Sequence, residues 1–220
     1  MIVLKPLSTK YLPHKDLTTF FFEGPERPSA RDFFVRGAIA WPEELQQGFA
    51  LLAGQDPKTK VVYIFEEYPF WTVGHYLAED ALKHPGLGQF LLDVWAKYHC
   101  HTFYRHQHPE VHRRFSLQAY DDKTIAPKPE LIDVPTVERL GDTLVVEYGR
   151  TRKLVADQRM TLKQQLTQHF AVPEAKNPGM GVHALRCLLA GFEHAGWAEP
   201  RRPQAERIHL LGRLSEMRSF

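Results

Sequence analysis

Three strand-like segments crowd together between residues 32 and 68, and this crowding limits the fold more than any other feature of the chain. The first is Asp32-Phe33-Phe34-Val35-Arg36-Gly37-Ala38-Ile39-Ala40-Trp41, closed by Pro42. The second is Gly48-Phe49-Ala50-Leu51-Leu52-Ala53-Gly54, and the third is Lys60-Val61-Val62-Tyr63-Ile64-Phe65-Glu66-Glu67-Tyr68. The link between the last two, Gln55-Asp56-Pro57-Lys58-Thr59, has the composition of a turn. Links this short cannot house the crossover that parallel neighbours need, so the three segments predict an antiparallel meander.

The pattern then changes period. Leu87, Leu91, Val94 and Tyr98 recur at helical spacing, with Phe90 and Trp95 widening the stripe and Pro85-Gly86 marking its start. Thr102-Phe103-Tyr104 reads as a short strand, and Pro109 opens a helix through Glu110 to Tyr120. Residues 121 to 135, with Pro127, Pro129 and Pro135, read as a loop. Two readings are open for the next stretch. Either Thr143 to Tyr148 is a strand, or Thr136 to Leu144 is a helix followed by a strand at Lys153-Leu154-Val155; the second is preferred. Leu162, Leu166 and Phe170 mark a helix, Asn177-Pro178-Gly179 a break, and Val182, Leu185, Leu188, Leu189 and Phe192 a strongly apolar last helix.

Residues 1–30 read as an arm or lead-in with a possible strand at Thr18-Thr19-Phe20-Phe21-Phe22, residues 31–197 as the domain, and residues 198–220 as a basic helix or tail. The tail carries Arg201, Arg202, Arg207, Arg213 and Arg218.

Composition bounds the function. At 220 residues one core can bury most of the apolar surface, and 43% hydrophobic residues suit a folded domain. A formal charge of +2 excludes a general polycation, so nucleic-acid binding would need a local patch. The two cysteines, Cys100 and Cys187, are no disulfide framework, and no apolar run reaches the roughly 20 residues of a membrane span. The expected location is the cytosol.

The order of meander, helix, strand, helix, strand, helix, helix resembles the RNase H-like nuclease domain of phage terminase large subunits over residues 31 to 197. Four segments carry the resemblance: Gly48 to Glu67, Gly86 to Tyr98, Leu162 to Phe170, and Gly181-Val182-His183-Ala184-Leu185-Arg186-Cys187-Leu188-Leu189. The resemblance implies an α/β fold of the RNase H-like class: a mixed sheet in which parallel strands extend a three-stranded antiparallel meander, with helices on both faces. It also implies DNA as ligand, a packaging or virion protein as partner, and Mg²⁺ or Mn²⁺ if the chain is a nuclease.

Such nucleases hold two divalent ions about 4 Å apart between carboxylates on the first strand, at the end of the fourth and at the start of the last helix. Here those places read Phe34 to Ala40, Tyr104-Arg105-His106-Gln107-His108 and Asn177 to His183, all without an acid. The expectation is therefore a catalytically degenerate domain that binds DNA or a packaging partner and needs no cofactor. Two alternatives stand beside it: an active nuclease with relocated ligands, for which Glu66, Glu110 and His183 are catalytic candidates, and a structural or adaptor protein of a virion or phage-like element. No P-loop is present, so ATP hydrolysis would fall to a separate ATPase.

Among the remaining features, His99, His101, His106, His108 and His112 cluster beside Cys100. Imidazole suits zinc, nickel or copper, and His106, His108 and His112 are the metal candidates, although the spacing matches no familiar metal motif. The candidate phosphate contacts are Arg105, Arg113, Arg114, Arg150, Arg152 and Lys153. Glu66 and Glu67 are adjacent on a strand, so they point to opposite faces and cannot readily act together. The aromatic run Tyr68-Pro69-Phe70-Trp71 fits base stacking or, more often, a core cap.

Overall fold

The computed structural model describes residues 21–22, 28–40, 47–71, 87–106, 130–134, 138–157, 159–171 and 179–194. Its strands are β1 (Phe21–Phe22), β2 (Arg36–Ala40), β3 (Gln47–Gln55), β4 (Val62–Trp71), β5 (Thr102–His106), β6 (Glu130–Val134) and β7 (Leu154–Asp157). Its helices are α1 (Leu87–Tyr98), α2 (Glu138–Arg150), α3 (Thr161–Ala171) and α4 (Met180–His194). A 3-10 turn, Ala30–Asp32, precedes β2 and is capped by the Ser29 hydroxyl.

The strands form one sheet in the order β1-β7-β4-β3-β2-β5-β6. β2, β3 and β4 make the antiparallel meander, as their short links require. β5 then joins β2 in parallel, β6 joins β5 in parallel, and β7 joins β4 in parallel on the other side. Residues 130–134, expected as loop, are the strand β6. Prolines at 129 and 135 flank it, which suits the sheet-edge position it takes, where ladder donors on one side go unused. Residues 143–148 belong to α2, which reaches Arg150, and the strand after it starts at Leu154. Two residues of the lead-in also enter the sheet, with Phe21 opposite Ala156 and Phe22 opposite Asp157. The expected helix from Glu110 to Tyr120 and the tail from residue 198 lie outside the described residues.

Helices cover both faces. On one, α4 is the central element: Val182, Leu185, Leu188 and Leu189 pack on Ala38, Leu51 and Tyr104, with α2 and α3 supplying Val145, Val146, Leu162, Leu166 and Phe170. Gly191 lets α4 approach closely, because a Cβ there would run into the Tyr104 ring. On the other face α1 sets Phe90 and Val94 against Phe70, Phe103, Ile39 and Leu52. The run Tyr68 to Phe70 is therefore core: Phe70 stacks on Phe90 with centroids 5.8 Å apart, and Tyr68 tilts against the same ring at 5.0 Å.

One irregularity lets β4 serve both faces. Leu52 pairs with Glu66, yet its neighbour Ala53 pairs with Ile64, so Phe65 is an extra residue, a β-bulge. Val62 and Ile64 consequently face α4, whereas Tyr68 and Phe70, of the same parity, face α1. Phe65 itself tilts against Phe33 at 5.6 Å.

Candidate functional site

The parallel strands β2 and β5 end side by side, with Ala38 opposite Tyr104 and Ile39 opposite Arg105. The N-terminus of α4 reaches the same end of the sheet, since a Cβ on Gly181 would lie 3.2 Å from the Phe49 ring, and Phe49 pairs with Ala40. Ligands of α/β sheets gather at such carboxyl ends of strands. Gln165 of α3 closes the corner: its Oε1 accepts from the Gly181 amide at 2.6 Å, one of the donors a helix start leaves unsatisfied.

The side chains there are mostly apolar or basic. Segments 36–40, 102–106 and 179–183 contain no Asp or Glu. Arg105 is 4% exposed, and its Nε donates to Asp133 of β6 at 2.7 Å. This differs from the surface phosphate contact expected of Arg105, because the guanidinium lies inside the protein and is paired with a carboxylate. Among the described residues no three His, Cys, Asp or Glu side chains group closely enough to hold a metal ion. The carboxylate-rich donor set that a pair of divalent ions demands is thus not met on these segments.

Behind this corner lies a buried polar network between helices. Arg186 of α4, 3% exposed, donates from Nε and Nη2 to Asp142 Oδ1 of α2 at 2.8 and 2.6 Å. His169 of α3, 2% exposed, puts Nε2 3.0 Å from Arg186 Nη2 and 3.2 Å from Asp142 Oδ1. Arginine only donates and carboxylate only accepts, so this nitrogen satisfies one of them at a time. The Nδ1 of His169 is buried with no hydrogen-bond partner among the described residues. His183, in the first turn of α4, accepts at Nδ1 from Arg186 Nη1 at 3.4 Å. Burial pushes the Asp142 carboxyl up, but the His169 hydrogen bond and the Arg186 charge outweigh it and hold the group below its ordinary value. His183 is thus tied into a packing network.

Glu66 and Glu67 do point to opposite faces. Glu66 accepts from the hydroxyls of Tyr68 and Tyr98 and from Lys97 Nζ on the α1 side. Burial raises its carboxyl and these three donors lower it further, so the net shift is downward. Glu67 caps α3 instead: its oxygens accept from the Thr161 amide at 2.6 Å, the Thr161 hydroxyl at 2.9 Å and the Leu162 amide at 3.0 Å. Sequence reasoning missed both this cap and the Asp142–Arg186–His169 network.

Of the histidines, His99 and His101 are exposed and edge-on to Trp95, at 5.3 and 5.9 Å, while His106 is the last residue of β5. Glu110, Arg113, Arg114, His108 and His112 lie outside the described residues. Cys100 and Cys187 are both buried and free, and burial pushes the Cys100 thiol up to about 12. Arg150 and Arg152 are exposed and Lys153 half-buried, at the end of α2 and in the turn to β7. No described helix is long and apolar enough to cross a membrane.

A meander extended by parallel strands in the order β4-β3-β2-β5-β6, with α1 on one face and α4 across the other, defines an RNase H-like domain. Among solved structures it is similar to the nuclease domains of phage large terminases. The phage P22 large terminase nuclease domain aligns at a TM-score of 0.50 and 13% identity, covering 84% of this chain and 90% of that one. The nuclease of the large terminase from the thermophilic phage G20c aligns at 0.50 and 11% identity, over 81% and 96% of the two chains. Against the HK97 bacteriophage large terminase the TM-score is 0.56 at 9% identity, and the match spans 82% of this chain but 43% of that protein. The likeness is one of fold. No family model matches the chain, and no curated protein does.

Proposed function

We propose that this RNase H-like domain binds DNA through its backbone phosphates and does not cleave it by two-metal hydrolysis. The observation that carries this reading is the corner where β2, β5 and α4 meet. The segments that would present metal-binding carboxylates there have Ala38 and Ala40 on β2, a paired Arg105 on β5, and the sequence Gly179-Met180-Gly181-Val182-His183 on α4. A domain of nuclease shape without that donor set keeps its surface and loses its Lewis acids. A packaging or virion protein and an ATPase are the partners that fit this reading, and the chain spans 43% of the HK97 large terminase it resembles in fold.

The test combines plasmid nicking with a gel mobility shift on metal-stripped protein at about 50 mM salt, with Mg²⁺, Mn²⁺ or no metal added. A shift that weakens steeply with salt, and no nicking under any condition, is the expected result. Nicking that persists through repurification would overturn the loss of catalysis. It would also point to carboxylates supplied from elsewhere, with Glu110→Ala as the first variant to make.

A further inference from the structure

We infer that DNA docks at the strand ends opposite the β2–β5–α4 corner, on a platform of two basic turns; this deepens the DNA-binding reading and rests on it. The platform is the β3–β4 turn, with Lys58 and Lys60, together with the α2–β7 turn, with Arg150, Arg152 and Lys153. Lys58, Arg150 and Arg152 are exposed, and Lys60 and Lys153 half-buried. The acids nearby are Asp56 and Glu147 of these segments and Glu193 of α4, which accepts from Tyr148. Asp56 Oδ1 is turned inward on its own turn, accepting from the Lys58 amide at 2.8 Å and the Thr59 amide at 3.3 Å. Five cations against three carboxylates leave a positive surface on a chain of formal charge +2.

Backbone and buried side chains bolt the turns together. The Val62 amide donates to the Lys153 carbonyl at 2.7 Å, and Gln55 Nε2 reaches both the Lys60 carbonyl and the Tyr148 hydroxyl at 3.4 Å. Tyr148 in turn donates to Glu193 near the end of α4 at 2.6 Å. Lys60 and Arg152 both take left-handed backbone, with φ of 62° and 55°. Glycine or asparagine is the ordinary choice there, yet each position carries a cation. The platform therefore holds the backbone that carries its charges at fixed spacing. It covers three adjacent strands, about 10 Å, against which B-DNA sets roughly three phosphates per strand.

Its position follows from register. Gln55 pairs with Val62 and Leu154 with Val62 at this end, whereas Ala40 pairs with Phe49 at the other. α4 runs between the two ends, from Gly181 beside Phe49 to Glu193 beside Tyr148, which over its length is about 20 Å.

The left-handed residues supply a variant that removes charge and relieves backbone strain at once. Lys60→Gly with Arg152→Gly deletes two cations and relieves both backbones, so the thermal midpoint should hold or rise. The expected effect on duplex DNA binding is a loss of roughly ten-fold or more at about 100 mM salt, with the slope of log K against log salt falling by about 2. Arg159→Gln is the control: Arg159 is exposed, paired with Asp157 past the other end of β7, and its loss should leave affinity unchanged. If the parent shifts DNA and the glycine double variant shifts it equally, the platform is wrong while the DNA-binding reading survives. The same holds if Arg159→Gln is the variant that weakens binding. If the parent shifts no DNA at about 50 mM salt, both fall.

Discussion

The two faces of the sheet are held by different physics. Beneath α1 the contacts are aromatic: Phe90 touches Phe70, Phe103 and Tyr68, and a charged cluster, Glu66 with Lys97, sits at the rim. Beneath and between α2, α3 and α4 a mostly aliphatic core encloses a full ion pair, Asp142 with Arg186, plus His169. An aromatic core degrades gradually when trimmed. A buried charge pair is sensitive to the loss of one partner and tolerant of losing both.

That difference can be broken most forcefully at Asp142. Asp142→Ala should cost about 3–5 kcal/mol in urea unfolding, because Arg186 is left buried without its carboxylate. Adding Arg186→Met should recover most of that loss, and failure to recover would show that the pair is not what α2 contributes. On the other face Phe90→Ala should cost a similar ~3–5 kcal/mol, and Phe90→Leu distinctly less, with no second-site change able to restore it.

Acid separates the faces more finely. The Asp142 and Glu66 carboxyls both lie below their ordinary values of 3.8 and 4.5. Each therefore contributes stability that is present above those values and is lost as the pH falls through the lowered folded ones. Protonating Asp142 strands a buried guanidinium, whereas protonating Glu66 frees a lysine already in water. Hydrogen exchange at about pH 3 should accordingly open the amides of Leu185 to Leu189 before those of Leu91 to Trp95, and the reverse order would refute the comparison. The smallest effect belongs to Glu67→Ala, which removes the cap of α3 and should cost about 1 kcal/mol, read as a small shift in the urea midpoint.

How much of this could be read from the chain divides along similar lines. Periodicity is local, so the meander, α1, α3 and α4 were legible from Phe49, Ile64, Phe90, Leu166 and Leu188 and their neighbours. β6 was not: Glu130 to Val134 is five residues between prolines, and what makes it a strand is β5 alongside, not its own composition. The β5 end of the β2–β5–α4 corner was legible as a run without acids, but the burial of Arg105 was not, since Asp133 is 28 residues away. Asp142, His169 and Arg186 each read as an ordinary polar residue of an amphipathic helix, and only the packing of three helices makes them one network. Glu67 likewise meets Thr161 across 94 residues.

The bulge at Phe65 has a consequence for how this chain can vary. Because β4 changes phase there, its two halves obey opposite alternation rules, much as a text changes meaning when its reading frame slips by one letter. Removing Phe65 itself would make Ile64 and Glu66 direct neighbours on opposite faces, restoring one frame throughout while Phe70 stays against Phe90. The bulged residue is therefore the one place where β4 can lose a residue without turning a side chain over, whereas an insertion or deletion elsewhere in the strand turns part of it to the wrong face.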